Sequence, residues 1–235
     1  MIRHFTAFLV LIFMSQAAFS NSVSIGFIER PPSIYANADG EMRGILGKEL
    51  ADIIFNANLD VDFVAVLPED INAFMTMTTL DGFIASKTLI QNESDFLFSQ
   101  MPLVYITFYA YHLESTKPLG NLTDLSNASV VVPLSMDEVK GRLKDTLIDQ
   151  SKNITVTGVE SDFEKQMMQL RQGKVDYAIS YFSPNNVAML FSSRSKSNKI
   201  ESSELFKLPL YLVFRADSKQ ADITIRKINN AMATH

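Results

Sequence analysis

The stretch from Phe83 to His112, FIASKTLIQNESDFLFSQMPLVYITFYAYH, constrains the fold of this chain more than any other. Gly82-Phe83-Ile84 is a short apolar strand that runs into a small polar loop, Ala85-Ser86-Lys87-Thr88. A polar turn with alternating apolar residues follows from Gln91 to Ser99, and Val104–Tyr111 leaves as a long aromatic strand. Proteins built from alternating strands and helices bind ligands at the carboxyl ends of their strands. A polar loop at such an end, with a long strand departing after it, suits two lobes that hold something between them.

The chain as a whole narrows the function classes. Net charge is −5 and Lys or Arg never run beyond pairs, so neither nucleic acid nor an anionic membrane is expected as a partner. Cysteine is absent, which excludes disulfides, thiolate metal sites and cysteine nucleophiles. Beyond residue 20 the histidines are His112 and the terminal His235, so no histidine metal cluster or triad forms and no cofactor is expected. Residues 1–20 read as a cleaved secretory signal: Arg3, then an apolar run from Phe5 to Met14, then Ala18-Phe19-Ser20 with small residues at the cleavage site. That run falls well short of the about 20 residues that span a bilayer. The exported chain is therefore expected to be soluble.

Strands and helices then alternate in two runs. Val23–Ile28 is a buried strand closed by Glu29-Arg30-Pro31-Pro32, which cannot be helical. Asn37 to Gly40 reads as a hairpin turn, Lys48–Ala57 as an amphipathic helix on Leu50, Ile53, Ile54 and Ala57, and Val61–Val66 as a strand. Pro68–Met75 has Pro at a helix's first turn. After His112 the pattern restarts with a turn at Leu122–Leu125 and a strand at Ser129–Val132. A capping box, Ser135-Met-Asp-Glu138, opens a helix to Leu147. Ile154–Val156 is a strand, Asp162–Gln172 a helix stopped by Gly173, Val175–Ser180 a strand and Pro184–Phe191 a short helix. Ser192–Ser203 reads as a polar surface segment without core signal, Leu208–Phe214 as the last strand and Ile223–Met232 as the closing helix. Two α/β lobes are expected, each with its own sheet, joined by extended segments near 104–114 and 204–212.

The order of these pieces resembles the periplasmic solute-binding proteins of the polar-amino-acid type, solute-binding family 3. The resemblance rests on the leader, Val23–Pro32, the Gly40 to Gly44 spacing, and the Thr88, Phe98-Ser99 and Pro102 segment. Leu125–Val132, Gly173–Ala178 and the returning strand and helix at the C-terminus extend it over most of the chain. It implies a type II periplasmic-binding-protein fold with two hinge strands, lobe one at 22–110 plus 208–235 and lobe two at 111–207. It also implies a periplasmic monomer that takes a small-molecule ligand and works with an inner-membrane ABC permease or a membrane sensor.

At the site the sequence departs from that pattern. The family places an Arg shortly after the equivalent of Thr88 to fork onto a ligand carboxylate, and here Gln91 and Asn92 are neutral. It places an Asp for the ligand's ammonium where this chain has Tyr181. Arg30 stands where an aromatic residue would cover the ligand, and Lys87 precedes Thr88; each is a candidate for an anionic group or a solvated rim charge. Ser135 at a helix start is a candidate for an anion or carbonyl, although Asp137 and Glu138 oppose an anion and plain capping accounts for it better. Dehydratases on this fold need a basic cluster for two carboxylates, and only Arg30 and Lys87 offer themselves, so a binding protein and not an enzyme is expected. Simple α-amino acids should bind poorly, because burying their charges unpaired costs several kcal/mol, on the order of 2–7 for a polar group alone. Calorimetry checks this: micromolar affinity for glycine or its homologues would mean that Arg30 or Lys87 holds the carboxylate.

Overall fold

The structure is a computed structural model, and it describes residues 22–67, 79–90, 92–133, 155–159, 162–185 and 199–234. The expected leader, the helices read at Pro68–Met75 and Ser135–Leu147, and most of that at Pro184–Phe191 lie outside the described residues. In chain order the elements are β1 (Val23–Ile28), β2 (Tyr35–Ala36), β3 (Met42–Arg43), α1 (Ile45–Asn56), β4 (Val61–Val66), β5 (Gly82–Ala85) and β6 (Phe96–Phe98). Then come β7 (Val104–Leu113), β8 (Ser129–Val132), β9 (Thr155–Val159), α2 (Phe163–Arg171), β10 (Tyr177–Ser180), β11 (Ile200–Arg215) and α3 (Ala221–Ala233).

β7 and β11 tie these together. Ile200 to Leu210 of β11 pairs antiparallel with Leu113 to Val104 of β7, with a bulge between Glu204 and Phe206. Beyond that overlap each strand enters a different half. β11 pairs β5 through Tyr211–Phe214, and β5, β1 and β4 continue in parallel. β7 pairs β10 through Tyr109–Tyr111, and β10, β8 and β9 continue in parallel. The strand order is β4-β1-β5-β11-β7-β10-β8-β9, with β6 added against β11. The expectation of two separate sheets is thereby corrected. The ladder is unbroken because the two connecting strands bond to each other, and among the described residues only they join the strands of the two halves.

Local sequence explains why these strands tolerate their places. β5 and β10 lie inside their halves of the sheet, buried at every position, and read as apolar runs. In β5, Ile84 faces the large core with Phe27, Leu50, Leu212 and Phe214, while Phe83 and Ala85 face a smaller one with Ile28, Val66 and Val213. Along β7, Val104, Ile106 and Phe108 are buried while Tyr105 stays exposed, the alternation visible in the sequence. Pro209 pairs with Tyr105, a point that β5 does not reach, so its missing N–H leaves no gap in a ladder on that side. The reading of Ser192–Ser203 is corrected at its end, since Ile200–Ser203 opens β11. Backbone pairing to Leu113, His112, Tyr111 and Ala110 outweighs the polar side chains there.

An aspartate before the second parallel strand sets each half's register. Asp81 precedes β5, and its carboxylate accepts from the Ser24 N–H of β1 at 2.9 Å. Asp176 precedes β10 and accepts from the Ser129 N–H and hydroxyl of β8, both at 2.7 Å. Both halves are thus pinned at the amino ends of their strands, which leaves the loops at the carboxyl ends to face one another. The helices follow the expected faces. α1 buries Leu50, Ile53 and Ile54, and α2, capped by Asp162 onto Glu164 N at 2.9 Å, buries Phe163, Met167 and Leu170. Each such side chain contributes about 1.5–3 kcal/mol by leaving water.

Gly44 starts α1 at φ +92, and a Cβ there would sit 2.3 Å from the Ser33 carbonyl oxygen. Gly40, at φ +79 in the β2–β3 turn, has open space around it. Gly40→Ala should therefore cost only the left-handed strain, about 1–2 kcal/mol. Gly44→Ala should cost clearly more, since backbone must also move. Urea unfolding of the two variants beside the parent checks the order.

Candidate functional site

The carboxyl ends of β1, β5, β8 and β10 carry the loops that matter. After β1, the Arg30 N–H donates to the Ile34 carbonyl at 2.7 Å, and the Arg30 carbonyl accepts from Ser33 N at 2.8 Å. With Pro31 and Pro32 inside it, this turn is stiff, so the Arg30 side chain leaves it in a fixed direction. That side chain is buried, with the residue only 3 % exposed. Arg30 is therefore not the solvated rim charge that the sequence allowed. Nor do its neighbours in sequence explain it: Glu29 accepts from Ala36 N at 2.7 Å, and Glu41 pairs with Arg43.

Tyr181 follows β10 directly, and the charge of Arg30, from the other half of the molecule, acts on it. Burial raises its phenol above the ordinary value, and the positive charge of Arg30 offsets part of that rise. The ring is fixed on both sides. It stands edge-on to Phe108 of β7 at 6.4 Å, and Phe108 stacks on Phe206 of β11 at 4.8 Å. On its other side Phe182 lies 5.3 Å away, itself stacked on Phe163 at 4.6 Å. The Tyr111 hydroxyl donates to the Phe182 carbonyl, which holds this corner onto β7. The pair of Arg30 and Tyr181 thus rests on strands from both halves, next to the segment that joins them.

The loop after β5 contributes differently. Ser86 is buried, its Oγ 2.9 Å from the Thr88 hydroxyl and accepting from the Thr88 N–H at 3.4 Å. Thr88 itself is exposed on a single turn of 3-10 helix, Lys87–Leu89. Lys87 has its ammonium 4.9 Å from the Phe98 ring centre and 4.6 Å from that of Tyr211. Those rings pack on the core that holds Phe83 and Val213, whereas Tyr181 packs on the core that holds Ile84 and Phe108. Lys87 and the Arg30–Tyr181 pair therefore serve different faces of the sheet. Cation–π contacts of this kind are worth about 0.5–2 kcal/mol and fix the turn. Asn92 is exposed and starts the next short turn without a side-chain cap. Gln91 and Ser135 lie outside the described residues.

Of the residues named from sequence, the structure buries Arg30, lets its charge act on Tyr181, and sets Thr88 with Ser86. Sequence reasoning placed Phe108 only within the long aromatic strand Val104–Tyr111, and gave no role of their own to Ser86 and Phe206. Their signal was positional: Ser86 ends a buried strand, and Phe206 sits at the bulge opposite Phe108. No helix among the described residues is long and apolar enough to cross a membrane.

Comparison with known proteins agrees with this geometry at the level of the fold. The sequence matches no protein-family model and no curated protein. Solved structures do match. A probable amino-acid ABC transporter extracellular-binding protein from Bacillus subtilis superposes with TM-score 0.62 at 15% identity, covering 91% of each chain. An ancestral arginine-binding protein bound to arginine gives 0.59 at 17% identity, again over 91% of each chain. The GluR0 ligand-binding core in complex with L-glutamate gives 0.62 at 14% identity, over 92% of this chain and 95% of that one. The chain has the two-lobed α/β fold of these solute-binding proteins, reached by a sequence far from theirs.

The phenols provide a pH test. Burial raises Tyr111, Tyr181 and Tyr177 above the ordinary 10.0, with the charges of Asp176 and Asp124 adding to the rise at Tyr177. The folded state then holds these protons more tightly than the unfolded chain. That stability is whole below pH 10.0 and is lost as pH climbs through the raised folded values. In an ultraviolet titration of the 7 tyrosines, these three should ionise last, and Tyr181→Phe should remove one late-titrating phenol. Ionisation of all seven together at the ordinary value would contradict it.

Proposed function

We propose that this is an exported solute-binding protein that captures a small polar or acidic solute between its two lobes and delivers it to an inner-membrane ABC importer. Residues 1–20 would direct it to the periplasm, and the lobes would comprise 22–110 with 208–235, and 111–207. The observation that carries the reading is the buried Arg30 after β1, whose charge acts on Tyr181 after β10, where Tyr181 packs on Phe108 of β7. A guanidinium is costly to bury and is placed inside a protein where it meets an anion or dipoles. The ends of strands facing each other across two lobes are where α/β proteins hold ligands. The neighbours that share the fold are described as binding proteins, and none of those named above as an enzyme. The likeness to the GluR0 ligand-binding core favours a second reading, in which binding is reported to a membrane receptor and nothing is transported.

A thermal-shift screen of the chain from residue 21 onward, across amino acids, organic acids, polyamines, sugars and short peptides, tests the common part of both readings. A solute that binds the native state raises its melting temperature. With that solute in hand, Arg30→Ala should weaken binding by about 1.5–3 kcal/mol, the value of a hydrogen bond to a charged group. Arg30→Lys should restore it only in part, since Lys lacks the planar fork. Equal affinity in the parent and Arg30→Ala would remove Arg30 from the site. Solute uptake lost on deletion of the gene, and regained with the parent chain, separates delivery from signalling.

A further inference from the structure

The ribbon that joins the two halves is held unevenly. Among the described residues, 104–108 of β7 and 206–210 of β11 pair only with each other, because β10 reaches β7 at 109–111 and β5 reaches β11 at 211–214. At the end that enters the second half, β7 lies between two neighbours, β10 on one edge and β11 on the other. There β11, over residues 200–204, has β7 alone.

The break in the ladder falls on the less-held strand. Glu204 stands opposite Tyr109 and the next pair is Phe206 opposite Phe108, so Leu205 has no partner on β7. Successive side chains of a regular strand point to opposite faces. Leu205 and Phe206 instead both pack against the cluster that holds Ile106, Phe108 and Leu208. An extra residue of this kind bends its strand and interrupts the ladder locally. Phe206 stacks on Phe108 at 4.8 Å and Tyr181 meets Phe108 edge-on at 6.4 Å, so rings cover one face of the bulge. At the surface Lys207 and Glu204 pair across it at 3.8 Å, both more than half exposed, a contact worth little.

Turning one half against the other must deform both strands, and the two respond differently. A sharp bend in β7 at Tyr109 strains its ladders to β10 and β11 at once. A bend in β11 at Leu205 meets no third strand among the described residues, and it falls where the ladder is already interrupted. Segments with fewer buried backbone bonds open at lower free energy. A two-stranded ribbon also twists more readily than a wider sheet, which lets β7 spread its share over residues 104–108.

We infer that Leu205 is a built-in joint: the halves turn against each other by a change of backbone angles at Leu205 of β11, while β7 keeps its pairing and takes up only twist. The inference concerns motion between the halves, goes beyond the solute-binding reading and needs no solute. Double electron–electron resonance tests it, with spin labels at Asp52→Cys in α1 and Met168→Cys in α2, both exposed, in a chain that has no cysteine of its own. The labelled parent should show a spread of distances. Deleting Leu205, which leaves the pairs on either side in register, should collapse that spread to one narrow peak. Leu205→Gly, which keeps the length and frees the backbone, should widen it. Hydrogen exchange read by mass spectrometry addresses the same joint without labels: a peptide around Leu205 should exchange faster than one covering residues 106–110 of β7. Circular dichroism melts report whether the deletion folds; if it does not, Leu205→Gly and the exchange comparison carry the test. The same distances in parent and variants overturn the inference, whether spread or narrow, and so does exchange in β7 as fast as that around Leu205. None of these results touches the solute-binding reading, which the thermal-shift screen decides separately.

Discussion

The antiparallel pairing of β7 with β11 is the contact on which the rest depends. It runs from Val104 to Leu113 on one strand and from Leu210 back to Ile200 on the other. It buries Ile106, Phe108, Leu208 and Leu210 on one side, at about 1.5–3 kcal/mol for each large side chain. Among the described residues, the strands of the nine-stranded sheet in one half connect to those in the other through this ladder. Both strands are long because they serve the two halves of the sheet in turn, and the places where that service changes are marked. Pro209 lies before β5 begins to pair, and the bulge at Glu204–Phe206 lies where β10 takes over on the far side of β7. A bulge bends and twists a strand locally, which suits a junction between halves of different orientation.

That junction also accounts for the position of the candidate site. The two aspartate clamps, Asp81 on Ser24 and Asp176 on Ser129, fix the amino ends of the parallel strands far from the crossing. The carboxyl-end loops are left to converge beside it. Arg30 comes from the first half and Tyr181 from the second, and Phe108 of the connecting strand lies against Tyr181. A charge buried there would be unfavourable in isolation.

Lys87 shows how similar residues can acquire different work. It is a cation like Arg30 and also follows a strand by two residues, yet its ammonium settles over Phe98 and Tyr211. The difference lies in which face of the sheet each loop leaves from. Ser86, one residue earlier, is buried and hydrogen-bonded to Thr88, so the turn is held from both sides. Lys87 shapes the loop, and Thr88 is what the loop exposes.

The alternation of strands and helices, their faces and most of their limits were legible in the sequence, because burial on one or two faces leaves a period that composition cannot hide. Leu50, Ile53 and Ile54 marked α1, and Val104, Ile106 and Phe108 marked β7, before any coordinates. Arg30 and Tyr181 were legible as oddities, a charge before Pro31-Pro32 and an aromatic residue after a buried strand. Pairing between distant segments was not. Nothing in Ser192–Ser203 signals that its last residues join a ladder, since backbone hydrogen bonds carry no side-chain signature. Whether Arg30 was buried or at the rim, and whether Lys87 faced it or stood apart, depended on the side of the sheet from which each loop emerged. That is a property of strand order and twist, and only the tertiary structure decides it.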